Sequence, residues 1–163
     1  MTFFDFIGSH GQLLAACGAA FAAMFAGIGS AIGVGHAGQA GAGVIAEDPD
    51  KFGSVLVLQL LPGTQGIYGL LIGFVIASKA GLLGGGADIS AVAGLQLFFA
   101  ALPIAFGGFL SAIAQGKAAA AGIMLVGKRS EESGKAIIFA VMVETYAVLA
   151  LLFSFLLVNG VAV

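Results

Sequence analysis

The chain has 163 residues, of which 60% are hydrophobic and only 9% charged. Soluble domains carry about 25% charged residues, so a water-facing globule is excluded. The 27 glycines, with 3 prolines and no Gly-X-Y period, exclude collagen and argue against disorder. A formal net charge of -2 argues against a nucleic-acid partner. The single cysteine, Cys17, can form neither an internal disulfide nor a zinc site and reads as a small apolar packing residue. What remains is an integral membrane protein.

Charges punctuate the chain. No Asp, Glu, Lys or Arg lies between Asp5 and Glu47, between Lys51 and Lys79, or between Asp88 and Lys117. A last apolar stretch, 136–163, contains one carboxylate, Glu144. A helix crosses the hydrocarbon core with roughly 20 apolar residues, so four spans are expected, near 11–46, 52–79, 90–127 and 132–159. The first and third exceed that minimum, and a helix of about 36 residues would measure roughly 54 Å. The first stretch lacks a basic leader, so it reads as a mature helix rather than a cleaved signal.

Short connections join these spans: Glu47-Asp48-Pro49-Asp50-Lys51, a segment around Gly84-Gly85-Gly86, and 128–135. The first and third hold Lys51, Lys128, Arg129 and Lys135, whereas the second holds only Lys79. The positive-inside rule then puts loops 47–51 and 128–135 in the cytoplasm and both termini outside.

Shifted by 81 residues, the sequence overlays on itself without a gap. Phe25-Ala26-Gly27-Ile28-Gly29-Ser30-Ala31-Ile32 falls on Phe106-Gly107-Gly108-Phe109-Leu110-Ser111-Ala112-Ile113, Gly35 on Gly116, and Thr64 on Thr145. The expected fold is therefore all-α: four transmembrane helices arranged as two tandemly duplicated parallel helical hairpins, 1–81 and 82–163. The second hairpin carries the membrane carboxylate. Parallel copies count against the inverted repeats common in secondary transporters.

The copies differ at telling places. Glu144 falls on Gly63, and Gln115 falls on Val34. A carboxylate in mid-membrane costs about 2.5–3.5 kcal/mol on insertion scales, so Glu144 requires a reason. Counting from the loops at about 1.5 Å per residue places Thr64, Gln65, Gln115 and Glu144 at a common depth, about 21–24 Å in. Tyr68 shares the helical face of Thr64 and Gln65 one turn on. Oxygen groups of this kind suit hard cations, not transition metals. Pro62, which has no N–H, frees a carbonyl one turn earlier, and with Gly63 it is expected to kink the second span. Each of these amides and hydroxyls alone could equally bond between helices.

The first and third spans are rich in Gly and Ala, and small residues let helices approach closely. The second and fourth are bulkier, with Leu56, Leu58, Leu60 and Leu61 in one and Phe139, Leu149, Phe153 and Phe155 in the other. Slim helices suit the inside of a ring and bulky ones its lipid face, although a compact bundle could use the same contrast. Lys117 lies roughly 200° around the helix from Gln115 and is expected to snorkel away from it, as is His36 at the matching position. Asp88, Glu131 and Glu132 read as loop or cap residues, and Tyr146 as a packing residue.

Two segments, Leu60-Leu61-Pro62-Gly63-Thr64-Gln65-Gly66-Ile67-Tyr68-Gly69 and Val143-Glu144-Thr145-Tyr146-Ala147, resemble the proteolipid rotor-ring subunits (K or c-type) of bacterial V-type ATPases. The likeness spans essentially the whole chain and is greatest to the sodium-translocating branch. It implies a ring of copies in lipid, turning against a membrane stator subunit with a basic residue and joined to central-stalk subunits. It further implies Na+ (H+ in related rotors) carried on Glu144. The implied ligands are the Glu144 carboxylate, the Thr64 hydroxyl, the Gln65 and Gln115 side-chain oxygens and the Leu61 carbonyl, with Tyr68 donating a hydrogen bond to Glu144. No Gly-x-x-x-x-Gly-Lys-Ser/Thr segment occurs, so nucleotide chemistry is expected on other subunits. A small cation channel or transporter would instead predict a polar stripe along one helix, and a purely structural proteolipid leaves the convergence on Glu144 unexplained.

Overall fold

The computed structural model describes residues 10–84 and 89–163. Asp88 and the Gly85-Gly86 pair lie outside the described residues, so the reading of Asp88 as a loop or cap residue has no structural counterpart here. Among the described residues, five α-helices make up four spans: α1 (Gly11–Glu47), α2 (Phe52–Leu60) and α3 (Thr64–Lys79) in line, α4 (Ala91–Lys128) and α5 (Ser133–Gly160). All four spans are long and apolar enough to cross a membrane. Helices suit that setting because they satisfy their backbone polar groups internally, where lipid offers no partner.

The duplication is visible in the backbone. Asp48 leaves α1 in an extended conformation at φ -146°, ψ 93°, and its repeat mate Arg129 leaves α4 at φ -144°, ψ 91°. Each is followed by a single 3-10 turn, Pro49–Lys51 and Ser130–Glu132, before the next helix begins at once. The third connection is thus shorter than the expected 128–135, since α4 continues through Lys128 and α5 starts at Ser133. Pro49 explains the first break, because the residue before a proline is pushed out of helical geometry. The Asp48 carboxylate also accepts the Asp50 N–H at 3.2 Å, and Ser90 caps the start of α4 by accepting from the Ala93 N–H at 3.2 Å.

The copies part company at one level. The second span is interrupted by a 3-10 turn at Leu61–Gly63, where Pro62 cannot continue the α-helical ladder. The fourth span runs unbroken through the matching positions.

The first and third spans form the centre. A Cβ on Gly18 would stand 2.7 Å from the Phe98 Cα, and one on Gly33 2.8 Å from the Pro62 Cβ, so these contacts exist only because the side chains are absent. Gly116 lies directly against the Gly33 backbone. The second and fourth spans flank this pair and present Ile67, Leu70, Phe74, Phe139, Leu149 and Phe153 outward, while Leu58 turns inward and is fully buried. Two apolar clusters fill the bundle. One is built on Ile72, Ile76, Leu97, Ile104 and Val158, the other on Val55, Leu58, Ile123 and Val126. Between them lies a layer containing the buried polar side chains Ser30, Gln65, Ser111 and Gln115.

Candidate functional site

The site begins at the 3-10 turn. There the Thr64 N–H bonds to the Leu61 carbonyl, and the Thr64 hydroxyl lies 3.0 Å from the same oxygen. That hydroxyl is also 3.3 Å from Gln65 Oε1, which gathers three oxygens from five consecutive residues. Starting α3 at Thr64 turns Gln65 into the protein, where it is 0% exposed, and leaves Tyr68 one turn further along.

From α4, Gln115 reaches the same point and is likewise 0% exposed. Gln65 Nε2 donates a short hydrogen bond to Gln115 Oε1. Gln115 Nε2 in turn donates to Glu144 Oε2 at 3.4 Å. The other carboxylate oxygen, Oε1, accepts from the Tyr68 hydroxyl at 2.6 Å. Leu61, Thr64, Gln65, Gln115, Glu144 and Tyr68 therefore form one continuous polar chain across the second, third and fourth spans. The structure brings together every residue singled out in the sequence for this site.

Glu144 is half-buried and sits at the edge of the bundle. A shallow apolar recess of about 340 Å³, lined by Val141, Glu144, Thr145, Val148 and Leu149, opens beside it. Among the described residues, no buried side-chain nitrogen or oxygen lacks a hydrogen-bond partner. In lipid that matters, because an unpaired polar group has no water to turn to.

Two serines join the site without having been expected there. Ser111 Oγ donates to the Val143 carbonyl at 3.1 Å and lies 3.5 Å from Gln65 Nε2. Its repeat mate, Ser30, accepts the Gly66 N–H at 2.8 Å. The signal that could have found them is the self-overlay, in which Ser30 and Ser111 coincide amid otherwise apolar residues.

Other expectations change. Tyr146 is 70% exposed and so adds little to packing within the chain, because two residues after Glu144 the helix faces outward. Cys17 is exposed on the single chain, on α1 beside the buried Gly18. Lys117 is exposed, in keeping with a side chain directed away from Gln115, whereas His36 is half-buried. Glu132 pairs with Lys135 at 2.6 Å beside the short third connection.

The family model for the C subunit of ATP synthase matches this chain twice, over residues 17–76 and 98–157, the two matches lying 81 residues apart. The chain belongs to the ATP synthase C-subunit family. It is 53% identical over 148 residues to the V-type sodium ATPase subunit K of Enterococcus hirae, covering 91% of this chain and 92% of that protein. It is 44% identical over 149 residues to the A-type ATP synthase subunit K of Methanocaldococcus jannaschii, covering 91% of this chain and 63% of that protein. The chain is accordingly a non-catalytic rotor component in the membrane sector of a rotary ATPase. Its tandem family matches correspond to the two parallel hairpins of the fold.

Proposed function

We propose that this rotor protein carries Na+ across the membrane on Glu144, held by the Glu144 carboxylate, the Thr64 hydroxyl, the Gln65 and Gln115 side-chain oxygens and the Leu61 carbonyl. Tyr68 holds the carboxylate by the hydrogen bond from its hydroxyl. The observation that carries this reading is the unbroken polar chain joining these six residues at one level between two apolar clusters. All five proposed ligands are oxygens, the donor class preferred by hard cations. A single carboxylate also selects the charge of the cargo. One monovalent cation neutralises it, whereas a divalent cation would leave a net positive charge in the hydrocarbon, where bare charge is costly. The similarity to a sodium ATPase subunit supports the same ion.

In this reading Gln115 turns its terminal amide so that Oε1 faces the cation, giving up the hydrogen bond it accepts from Gln65 Nε2, while Nε2 gives up its 3.4 Å bond to Glu144. Copies of the chain form a ring, with the close-packed first and third spans inside and Glu144 toward its outer rim. A basic residue of the stator attracts the carboxylate and helps to release its ion, and a fresh ion neutralises it before it re-enters lipid. The ends of the spans at residues 47–51 and 128–135 face the cytoplasm and the central stalk of a cell-membrane complex, and both termini face outside. Nucleotide chemistry lies on other subunits.

The test is labelling of the purified ring with a hydrophobic carbodiimide at fixed pH, with the adduct located by mass spectrometry. The reagent attacks a protonated carboxyl, so bound sodium suppresses it. Labelling of Glu144 that falls with millimolar sodium but not with equal potassium supports the proposal. Labelling that responds only to pH makes the ring a proton carrier. No reaction at Glu144 removes the carboxylate from the mechanism.

A further inference from the structure

We infer that Ser111 is a positioning residue for the ion site, its hydroxyl fixing both the side-chain amide of Gln65 and the backbone that carries Glu144. The inference rests on the proposed sodium-carrying role of that site.

Ser111 is buried on α4, one turn before Gln115. A serine hydroxyl has one proton to donate and two lone pairs. The proton goes to the Val143 carbonyl at 3.1 Å, the residue immediately before Glu144. The lone pairs then face Gln65 Nε2 at 3.5 Å. That commitment fixes which end of the Gln65 amide points where. With Nε2 turned to Ser111, Oε1 is left 3.3 Å from the Thr64 hydroxyl, which itself lies 3.0 Å from the Leu61 carbonyl, among the other proposed cation ligands. Reversed, the amide would present two N–H donors to a cation.

Gln115 Oε1 also accepts from Gln65 Nε2, but that oxygen is itself a proposed ligand and is drawn toward the ion. Ser111 is the partner of Gln65 that has no contact with the ion to make. The same hydroxyl holds the helix at Val143, so the Gln65 amide and the Glu144 backbone are set by one atom. Ser154 provides a contrast. It is also buried and also joins the third and fourth spans by a hydroxyl-to-backbone bond, 3.0 Å from the Ile104 N–H, but that bond leads to no site residue.

The experiment uses rings of the intact ATPase carrying Ser111→Ala, Ser111→Thr or Ser154→Ala. The readout is the sodium concentration that halves carbodiimide labelling of Glu144 at fixed pH. Loss of a buried hydrogen bond that orients a ligand predicts about a tenfold rise for Ser111→Ala. Ser111→Thr keeps the hydroxyl and is expected to stay near the wild-type value, as is Ser154→Ala. Without sodium, the pH profile of labelling in Ser111→Ala should follow wild type, because a proton does not use the Gln65 oxygen. A Ser111→Ala ring that is protected at the wild-type sodium concentration overturns the inference, as does an equal shift in Ser154→Ala. If the alanine ring does not assemble, Ser111→Cys takes its place, since its thiol fills the space of the hydroxyl but is a weak donor and a weak acceptor. Wild-type labelling that ignores sodium overturns the sodium reading and this inference together, whereas sodium-sensitive wild type with unaltered Ser111→Ala overturns the inference alone.

Discussion

Tyr68 and Glu144 stand 76 positions apart in the chain, on the second and fourth spans, and meet through a 2.6 Å hydrogen bond. A phenol donates and a carboxylate accepts, so the bond draws the carboxylate toward the protein rather than the lipid. Hydrogen bonds to charged groups contribute about 1.5–3 kcal/mol, which corresponds to roughly 10- to 100-fold in affinity. Tyr68→Phe is expected to raise the sodium concentration needed to protect Glu144 from carbodiimide by about tenfold or more. It should leave ring assembly intact, and titration of labelling against sodium checks both the direction and the size.

Thr64 separates an oxygen ligand from a packing residue. Thr64→Val keeps the shape and removes the hydroxyl that lies 3.0 Å from the Leu61 carbonyl. Sodium protection of Glu144 should weaken by about tenfold, whereas Thr64→Ser should lie close to wild type. Equal behaviour of the two variants would return Thr64 to packing.

Gly33 tests the close approach of the first and third spans. A methyl group there would press on the Pro62 Cβ at 2.8 Å and on the Ala112 backbone. Overpacking of this kind costs about 1–3 kcal/mol, so Gly33→Ala should lower the denaturation midpoint and the yield of assembled ring. Gly134→Ala is the control, because nothing lies within 4 Å of its added Cβ. Midpoints in a denaturing-detergent titration compare the two.

Ser154 reports on stability apart from the ion. Its hydroxyl accepts the Ile104 N–H beside Pro103, a proline inside α4. Ser154→Ala should destabilise the fold by about 1 kcal/mol, the scale of hydrogen bonds between membrane helices. The same detergent titration measures the loss.

Sidedness is tested with introduced cysteines after Cys17→Ala removes the native thiol. Ser130→Cys should react with an impermeant maleimide only when the cytoplasmic face is open, and Leu82→Cys only from outside. The reverse pattern would invert the proposed topology.

The spans and the clustering of the candidate site residues were legible in the sequence for different physical reasons. Charge is so costly in hydrocarbon that charged residues marked the helix ends, and the 81-residue self-overlay separated the lone Glu144 from its background. The depth argument grouped Thr64, Gln65, Gln115 and Glu144 because rise per residue is nearly constant in a helix. The resemblance to rotor subunits supplied what depth cannot, namely the Leu61 carbonyl as a proposed ligand. Ser111 went unread because a serine in a membrane helix can satisfy itself on its own backbone, and only the structure turns it to Val143. Tyr146 and Cys17, read as packing residues, are exposed on the single chain, because a chain whose every face is apolar gives little indication of which face it covers itself.

Gly63 and Glu144 occupy matching positions, and only one of them is a carboxylate. Under the proposed function this sets a gear. The perimeter of the ring grows with the number of spans, but its load per turn grows with the number of acidic side chains, so each ion is carried past four helices rather than two. The energy of one turn is divided among half as many charges, and each can be driven against about twice the membrane potential, at about 2.3 kcal/mol per charge for every 100 mV. Replacing a carboxylate by glycine in one hairpin thus exchanges throughput for force.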